Sequence, residues 1–192
     1  VVPTGDLFDI GGQVDAIAAT PDGQTIHFID KNTAHLGAYG VASGSFPALG
    51  EVSALLNEEV VLAAYSPGGT LYVAGQSSDT LYTLDPSGPS ATSVGTVSGA
   101  DVSGADLAFD AAGTLYLYSS ADGKLYTVDT GTASATAVGS EQANKGSFTG
   151  LAIREAGTGA LVGSSTSDDT IYVLDPDTGG LGTGYEMRLD GE

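Results

Sequence analysis

Asp106–Ser140, DLAFDAAGTLYLYSSADGKLYTVDTGTASATAVGS, is the stretch that decides the fold. It divides into four short runs parted by turn residues. Strands are expected at Asp106–Asp110, Thr114–Ser119, Lys124–Asp129 and Ser134–Gly139, with turns at Ala111–Gly113, Ser120–Gly123 and Thr130–Ala133. Gly113 and Gly123 stand where short hairpins need positive φ. Ala108 at the centre of the first run suits a crowded innermost strand. Leu115-Tyr116-Leu117 and Leu125-Tyr126-Thr127 suit strands whose faces pack on neighbouring sheets.

The same pattern recurs on both sides. Leu62–Val97 reads LAAYSPGGTLYVAGQSSDTLYTLDPSGPSATSVGTV, and Gly150–Gly184 reads GLAIREAGTGALVGSSTSDDTIYVLDPDTGGLGTG. A weaker first copy, Val14–Glu51, begins VDAIAATPDGQTIHFID. Ala18, Ala64, Ala108 and Ala152 lie 46, 44 and 44 residues apart. A period of ~40–50 residues with several short strands per unit is the mark of a β-propeller blade. The fold class expected is therefore all-β, a propeller of about four four-stranded blades, near residues 14–56, 60–100, 104–146 and 148–192. It would close as a four-bladed ring, form part of a larger propeller, or be completed by another chain. Strand content is expected at 40% or more and helix below ~10%, against ~20–25% strand in an average domain. The first copy lacks the LYTLD signature in its third strand, around Ala34–Tyr39, and Ser53–Val60 reads as an inserted helical turn.

Composition narrows the function. Of 192 residues, 24 are Asp or Glu and five are Lys or Arg, a net charge of −19. That sign excludes nucleic acid and anionic lipid as main partners. No apolar run approaches the ~18–20 residues of a membrane-spanning helix. There is no Cys, so disulfides, thiolate metal sites and Cys nucleophiles are excluded. The chain opens at Val1, as in a chain relieved of an export signal or in a trimmed segment. Self-repulsion at this charge is screened by salt, the Debye length falling from ~30 Å at 0.01 M to ~3 Å at 1 M. The melting temperature is expected to rise across that range of NaCl; a flat profile in differential scanning calorimetry would show charges too dispersed to matter.

The hairpins DLAFDAAGTLYL and LAAYSPGGTLYV resemble the first two strands of NHL-type repeats. The stretches LYVAGQSSDTLYTLDPSG and ALVGSSTSDDTIYVLDPDTGG resemble YVTN-type repeats of bacterial and archaeal cell-surface and surface-layer proteins. The resemblance covers about residues 14–184. It implies a propeller, and for the YVTN type an extracellular or cell-surface location.

Candidate chemistry is sparse. Asp15, Asp101 and Asp106 lie at or before innermost strands, which in propellers approach the axis, and are the candidate ligands for a metal, Ca²⁺ being the hard cation such oxygens suit. Beyond such an ion, no residue pattern points to a particular cofactor. His27 and His35 lack the spacing of a zinc motif, and no Ser stands in a GxSxG elbow, so no catalytic residue is assigned. The recurring Tyr residues read as blade-to-blade packing with hydroxyls reaching water. The Asp-rich turns DPSG and DPDTGG read as β-turns.

The expectation is a non-enzymatic extracellular structural or binding module of a cell surface, appendage or filament. Its partners would be protein or glycan, or copies of itself joined by strand addition. The alternative is a propeller enzyme of the metal-dependent lactonase or lyase type, acting from loops on one face. The N-terminal segment, residues 1–13, is expected to contribute a strand, Val1–Ile10, closing the last blade or donated to another copy. Tyr185–Leu189 is the candidate for the last outer strand.

Overall fold

The computed structural model describes residues 13–140, 148–154 and 160–187. The chain divides into two compact units, residues 1–96 and 97–192, each holding two four-stranded antiparallel sheets. In the first unit these are β1 (Val14–Ala19), β2 (Thr25–Asp30), β3 (His35–Gly40) and β4 (Ala48–Glu51), followed by β5 (Val60–Tyr65), β6 (Leu71–Gly75), β7 (Thr80–Asp85) and β8 (Ser90–Thr96). In the second they are β9 (Asp106–Phe109), β10 (Leu115–Ser119), β11 (Lys124–Val128) and β12 (Ala135–Val138), followed by β13 (Phe148–Arg154), β14 (Ala160–Ser165), β15 (Thr170–Leu174) and β16 (Leu181–Glu186). Every sheet is a meander in sequence order, as propeller blades are. The fold is all-β, a β-propeller of four four-stranded blades. Strands take up more than 40% of the 192 residues, and the single helical element among the described residues is a 3₁₀ turn at Ser53–Leu55, within the expected insertion.

The strands of the third blade fall within a residue or two of the sequence reading. Gly113 and Gly123 have φ of 88° and 66°. In the other blades the position of Gly123 is held by Ala34, Asp79 and Asp169, with φ of 54°, 53° and 52°. Asp tolerates this region because its short side chain bonds locally. The last outer strand starts at Leu181, earlier than the expected Tyr185–Leu189; residues 188 and 189 lie outside the described residues, as does Val1–Ile10.

The core lies between blades. In the first unit Ala16, Ala18, Ile29 and Leu36 of the first blade pack on Val60, Leu71, Val73, Tyr82 and Leu84 of the second. In the second unit Ala108, Tyr116, Tyr118 and Leu125 pack on Phe148, Leu151, Leu161, Tyr172 and Leu174. Residues two apart on one strand share a face, so alternate positions supply one interface and those between them the next. The first blade solves its missing Tyr by exchange. Gly37 pairs with Phe28, whose ring fills the space a side chain at Gly37 would take, whereas Tyr172 pairs with Gly163.

The second unit also covers one of its own edges. Ser98 pairs parallel to Ser134, with Ser98 N–H donating to Ala133 O (3.1 Å) and Ala135 N–H to Ser98 O (2.8 Å). This protects part of the outer edge of β12 from strand addition.

Candidate functional site

The acidic residues of the repeats bond mostly to their own blades. Asp85 Oδ1 accepts from Ser87 N–H and Oγ–H at 2.9 and 2.7 Å. Asp129 Oδ1 accepts from the N–H groups of Gly131 and Thr132 and from Thr132 Oγ–H. Asp175 Oδ1 accepts from the N–H groups of Asp177 and Thr178. These are Asx turns, and they hold the three carboxyls below their ordinary pKa because the bonds favour the charged form. The expected β-turns are thus present, and the Asp side chains build them.

A second set of carboxylates anchors the tyrosines. Tyr172 Oη–H donates to Asp168 Oδ2 at 2.6 Å, and Tyr126 Oη–H donates to Asp122 Oδ2. Burial first, then the bond to Asp122 and its charge, pushes the Tyr126 phenol up to about 12. In the second blade Ser78 stands where Asp122 and Asp168 stand. There Glu58, from the loop before β5, reaches in: Tyr82 Oη–H donates to its Oε1 at 3.0 Å and Ser78 Oγ–H to its Oε2 at 2.5 Å. Gly75 leaves room for this, since a Cβ there would meet Glu58 O at 2.5 Å. The tyrosines pack between blades as expected, but these hydroxyls bond to carboxylates rather than water. Tyr126→Phe is expected to cost about 1.5–3 kcal/mol in urea unfolding, the range for a bond to a charged acceptor.

The three metal candidates take separate local roles. Asp15 is exposed on a bulge of β1, bonded to Gln13 Nε2 (2.9 Å) and paired with Lys31 Nζ (2.8 Å). Asp101 Oδ1 accepts from Ser103 N–H at 2.8 Å in an exposed turn. Asp106 is half-buried. Its Oδ1 accepts from Leu107 N–H (2.8 Å) and its Oδ2 from Leu151 N–H (2.6 Å), which ties β9 to β13. Burial raises its carboxyl to about 6 against these two bonds, which favour the charged form. Asp15 and Asp106 are not equivalent positions. Asp106 lies two residues before Ala108, a place held by Ala16, Leu62 and Gly150 in the other blades. Among the described residues no three His, Asp or Glu side chains converge as a metal site requires.

His27 is buried at the contact of the first two blades. Its Nδ1 lies 2.9 Å from Tyr65 Oη, and burial lowers its pKa. In the third blade a shallow open depression is lined by Thr127, Asp129, Thr132, Ser134 and Thr136, a hydroxyl-rich surface that no motif marks.

These blades define a β-propeller repeat protein whose recurring polar residues serve turns and blade contacts. The chain belongs to the family of repeats of unknown function DUF6923, which matches residues 15–180. No curated protein matches it. Among solved structures it is similar to virginiamycin B lyase from Staphylococcus aureus, at 10% identity and a TM-score of 0.66, covering 96% of this chain and 59% of that one. It is similar to a chain of a nidogen/laminin complex at 14% identity and a TM-score of 0.67, covering 97% and 66%. It is also similar to an auxiliary nutrient binding protein from Bacteroides thetaiotaomicron, at 14% and 0.63, covering 90% and 46%. The chain thus spans less than two thirds of each of these structures, and at such identities the likeness is one of fold.

Proposed function

We propose that this chain is a non-enzymatic module that works outside the cell, as a structural or binding unit of a cell surface, appendage or filament. The observation that carries this reading is the use made of the recurring acidic side chains: they cap turns and anchor tyrosines. The net charge of −19 and the resemblance to surface-protein repeats support it. Protein or glycan is the partner class, and the hydroxyl-lined depression on the third blade offers the polar contacts that sugar hydroxyls take. Labelling intact cells of the source organism with an antibody to the chain tests the location. Signal only after lysis overturns it.

A second reading has one observation in its favour. Asp106, with its carboxyl near 6, is placed in the range of a general base, and similar folds include a lyase. In that reading the protein is a propeller enzyme of lactonase or lyase type. Incubation with quinupristin and simple lactones, with and without added divalent metal, separates the readings. Turnover lost in Asp106→Asn establishes the enzyme; no turnover supports the binding module.

A further inference from the structure

The seam between the first two blades is built from Ala16, Ala18, Ile29 and Leu36 on one side and Val60, Leu71, Val73, Tyr82 and Leu84 on the other. One polar pair crosses it. His27 Nδ1 of β2 lies 2.9 Å from Tyr65 Oη of β5, the two rings being 5.8 Å apart and tilted by 50°. His27 is 8% exposed, and its neighbours across the sheet are Ala18 on β1 and Ala38 on β3, both buried. An imidazole is therefore walled by two methyl groups and one phenol.

The titratable groups of the surrounding elements are all committed elsewhere. On β1 Asp15 is paired with Lys31, and Asp22 in the turn after β1 bonds to Thr20 and Gln24. On β2 itself Asp30 turns its Oδ1 to the N–H groups of Asn32 and Thr33. On β3 Leu36 and Ala38 share the face of His27, whereas His35 and Tyr39 alternate to the other. From the second blade Tyr65 alone reaches the ring, and Tyr82 is bonded to Glu58. In a chain with 24 acidic residues, none bears on this imidazole: burial is the one cause that shifts its pKa, and the shift is downward.

We propose that His27 and Tyr65 form an acid-sensitive latch between the first two blades, a neutral imidazole letting them seat and its protonation loosening the first blade from the second. In the neutral state Nδ1 accepts from Tyr65 Oη–H. A proton on Nδ1 forces the hydroxyl to turn and accept instead, and leaves a cation against Ala18 and Ala38 with no carboxylate to balance it. That cation reaches water only when the seam opens, so opening becomes more frequent as pH falls. Because the core of the first unit lies in this seam, a blade parted from it also holds its own strands poorly. The second unit has no histidine and lacks the latch.

The test is hydrogen–deuterium exchange on the 192-residue chain from pH 7.5 to 5, with rates corrected for the pH dependence of chemical exchange. Protection of β1, β2 and β5 is expected to fall below pH 6.5, by up to about tenfold per pH unit, the limit for one proton. Protection of β9, β10 and β13 should not fall with it. His27→Gln keeps a neutral polar side chain and abolishes the fall. Tyr65→Phe removes the donor to Nδ1 and lowers protection of the same three strands already at pH 7.5. Should His27→Gln fold poorly, the wild-type ring is followed by nuclear magnetic resonance: its Cε1–H signal is expected to titrate below 6.5, together with the loss of protection. A loss equal in both units, a loss that persists in His27→Gln, an unchanged Tyr65→Phe, or a ring that titrates at or above 6.5 overturns the proposal.

Discussion

Alanine at position 139 or 179 is expected to cost about 3–5 kcal/mol, the largest loss of any single methyl group added to the second unit. Two effects add. Gly139 and Gly179 have φ of 75° and 68°, which disfavours any Cβ. The two glycines also bring backbones together: a Cβ on Gly139 would be driven into Thr178 O, and one on Gly179 into Val138 O. A peptide carbonyl cannot swing aside as a flexible side chain does, so either the end of β12 or the turn before β16 must move. Against a typical total of ~5–15 kcal/mol, such a loss leaves the unit marginal. Gly113→Ala is the control. Its φ is 88° but nothing lies within 4 Å of the added carbon, so it should lose only about 1–2 kcal/mol. Urea unfolding separates them: midpoints fall in that order with little change in slope. Equal losses at all three positions would show that φ alone matters.

Asp106 should make the second unit more stable in mild acid. Its carboxyl is raised from 3.8 to about 6 by burial. A raised acid binds its proton more tightly when folded, so its contribution is complete below 3.8 and is lost as pH rises through 6. Between pH 7 and 4 the gain is on the order of 2–3 kcal/mol. Two other sets of groups act in the opposite sense. Burial lowers His27 from 6.5, so its contribution is present above that value and lost as pH falls through its folded pKa. Asp22, Asp85, Asp129 and Asp175 are lowered from 3.8, and their contribution disappears only below that value. Asp106→Asn isolates the wanted group, because its amide oxygen still accepts a backbone bond while the charge is gone. Relative to this variant, wild type should gain stability on going from neutral pH to just above 4. A difference that does not change with pH would show that Asp106 is already solvated.

Much of this architecture is legible in the residues. Leu-Tyr pairs locate the second and third strands of the second and third blades, the variant Ile171-Tyr172 locates the third strand of the fourth, and Gly113 and Gly123 locate turns, because these are local demands of the backbone. The first blade is harder to read. Its Phe28 and Gly37 exchange large and small across a pair of strands, so the volume is kept while the signature disappears. Asp106 drew notice as an axial carboxylate, yet it binds backbone N–H groups 45 positions away as well as beside it. Glu58 drew none, because nothing within its own loop says that Tyr82 and Ser78 will be its partners. The closeness of Gly139 to Gly179 is likewise a tertiary fact; in sequence each is one more turn glycine.

The way each blade satisfies its tyrosine bears on how blades can be exchanged. In the third and fourth blades donor and acceptor lie four residues apart, so the hairpin holding Asp122 and Tyr126, or Asp168 and Tyr172, carries its own polar partner. Such a hairpin is a portable part, fit to be duplicated or grafted into a neighbouring repeat. The second blade borrows its acceptor from Glu58, 24 residues upstream. Moved without that loop it would bring a buried tyrosine and no carboxylate to meet its hydroxyl. Recombination among these repeats, in nature or at the bench, should therefore copy the last two blades freely and move the second only together with the segment that precedes it.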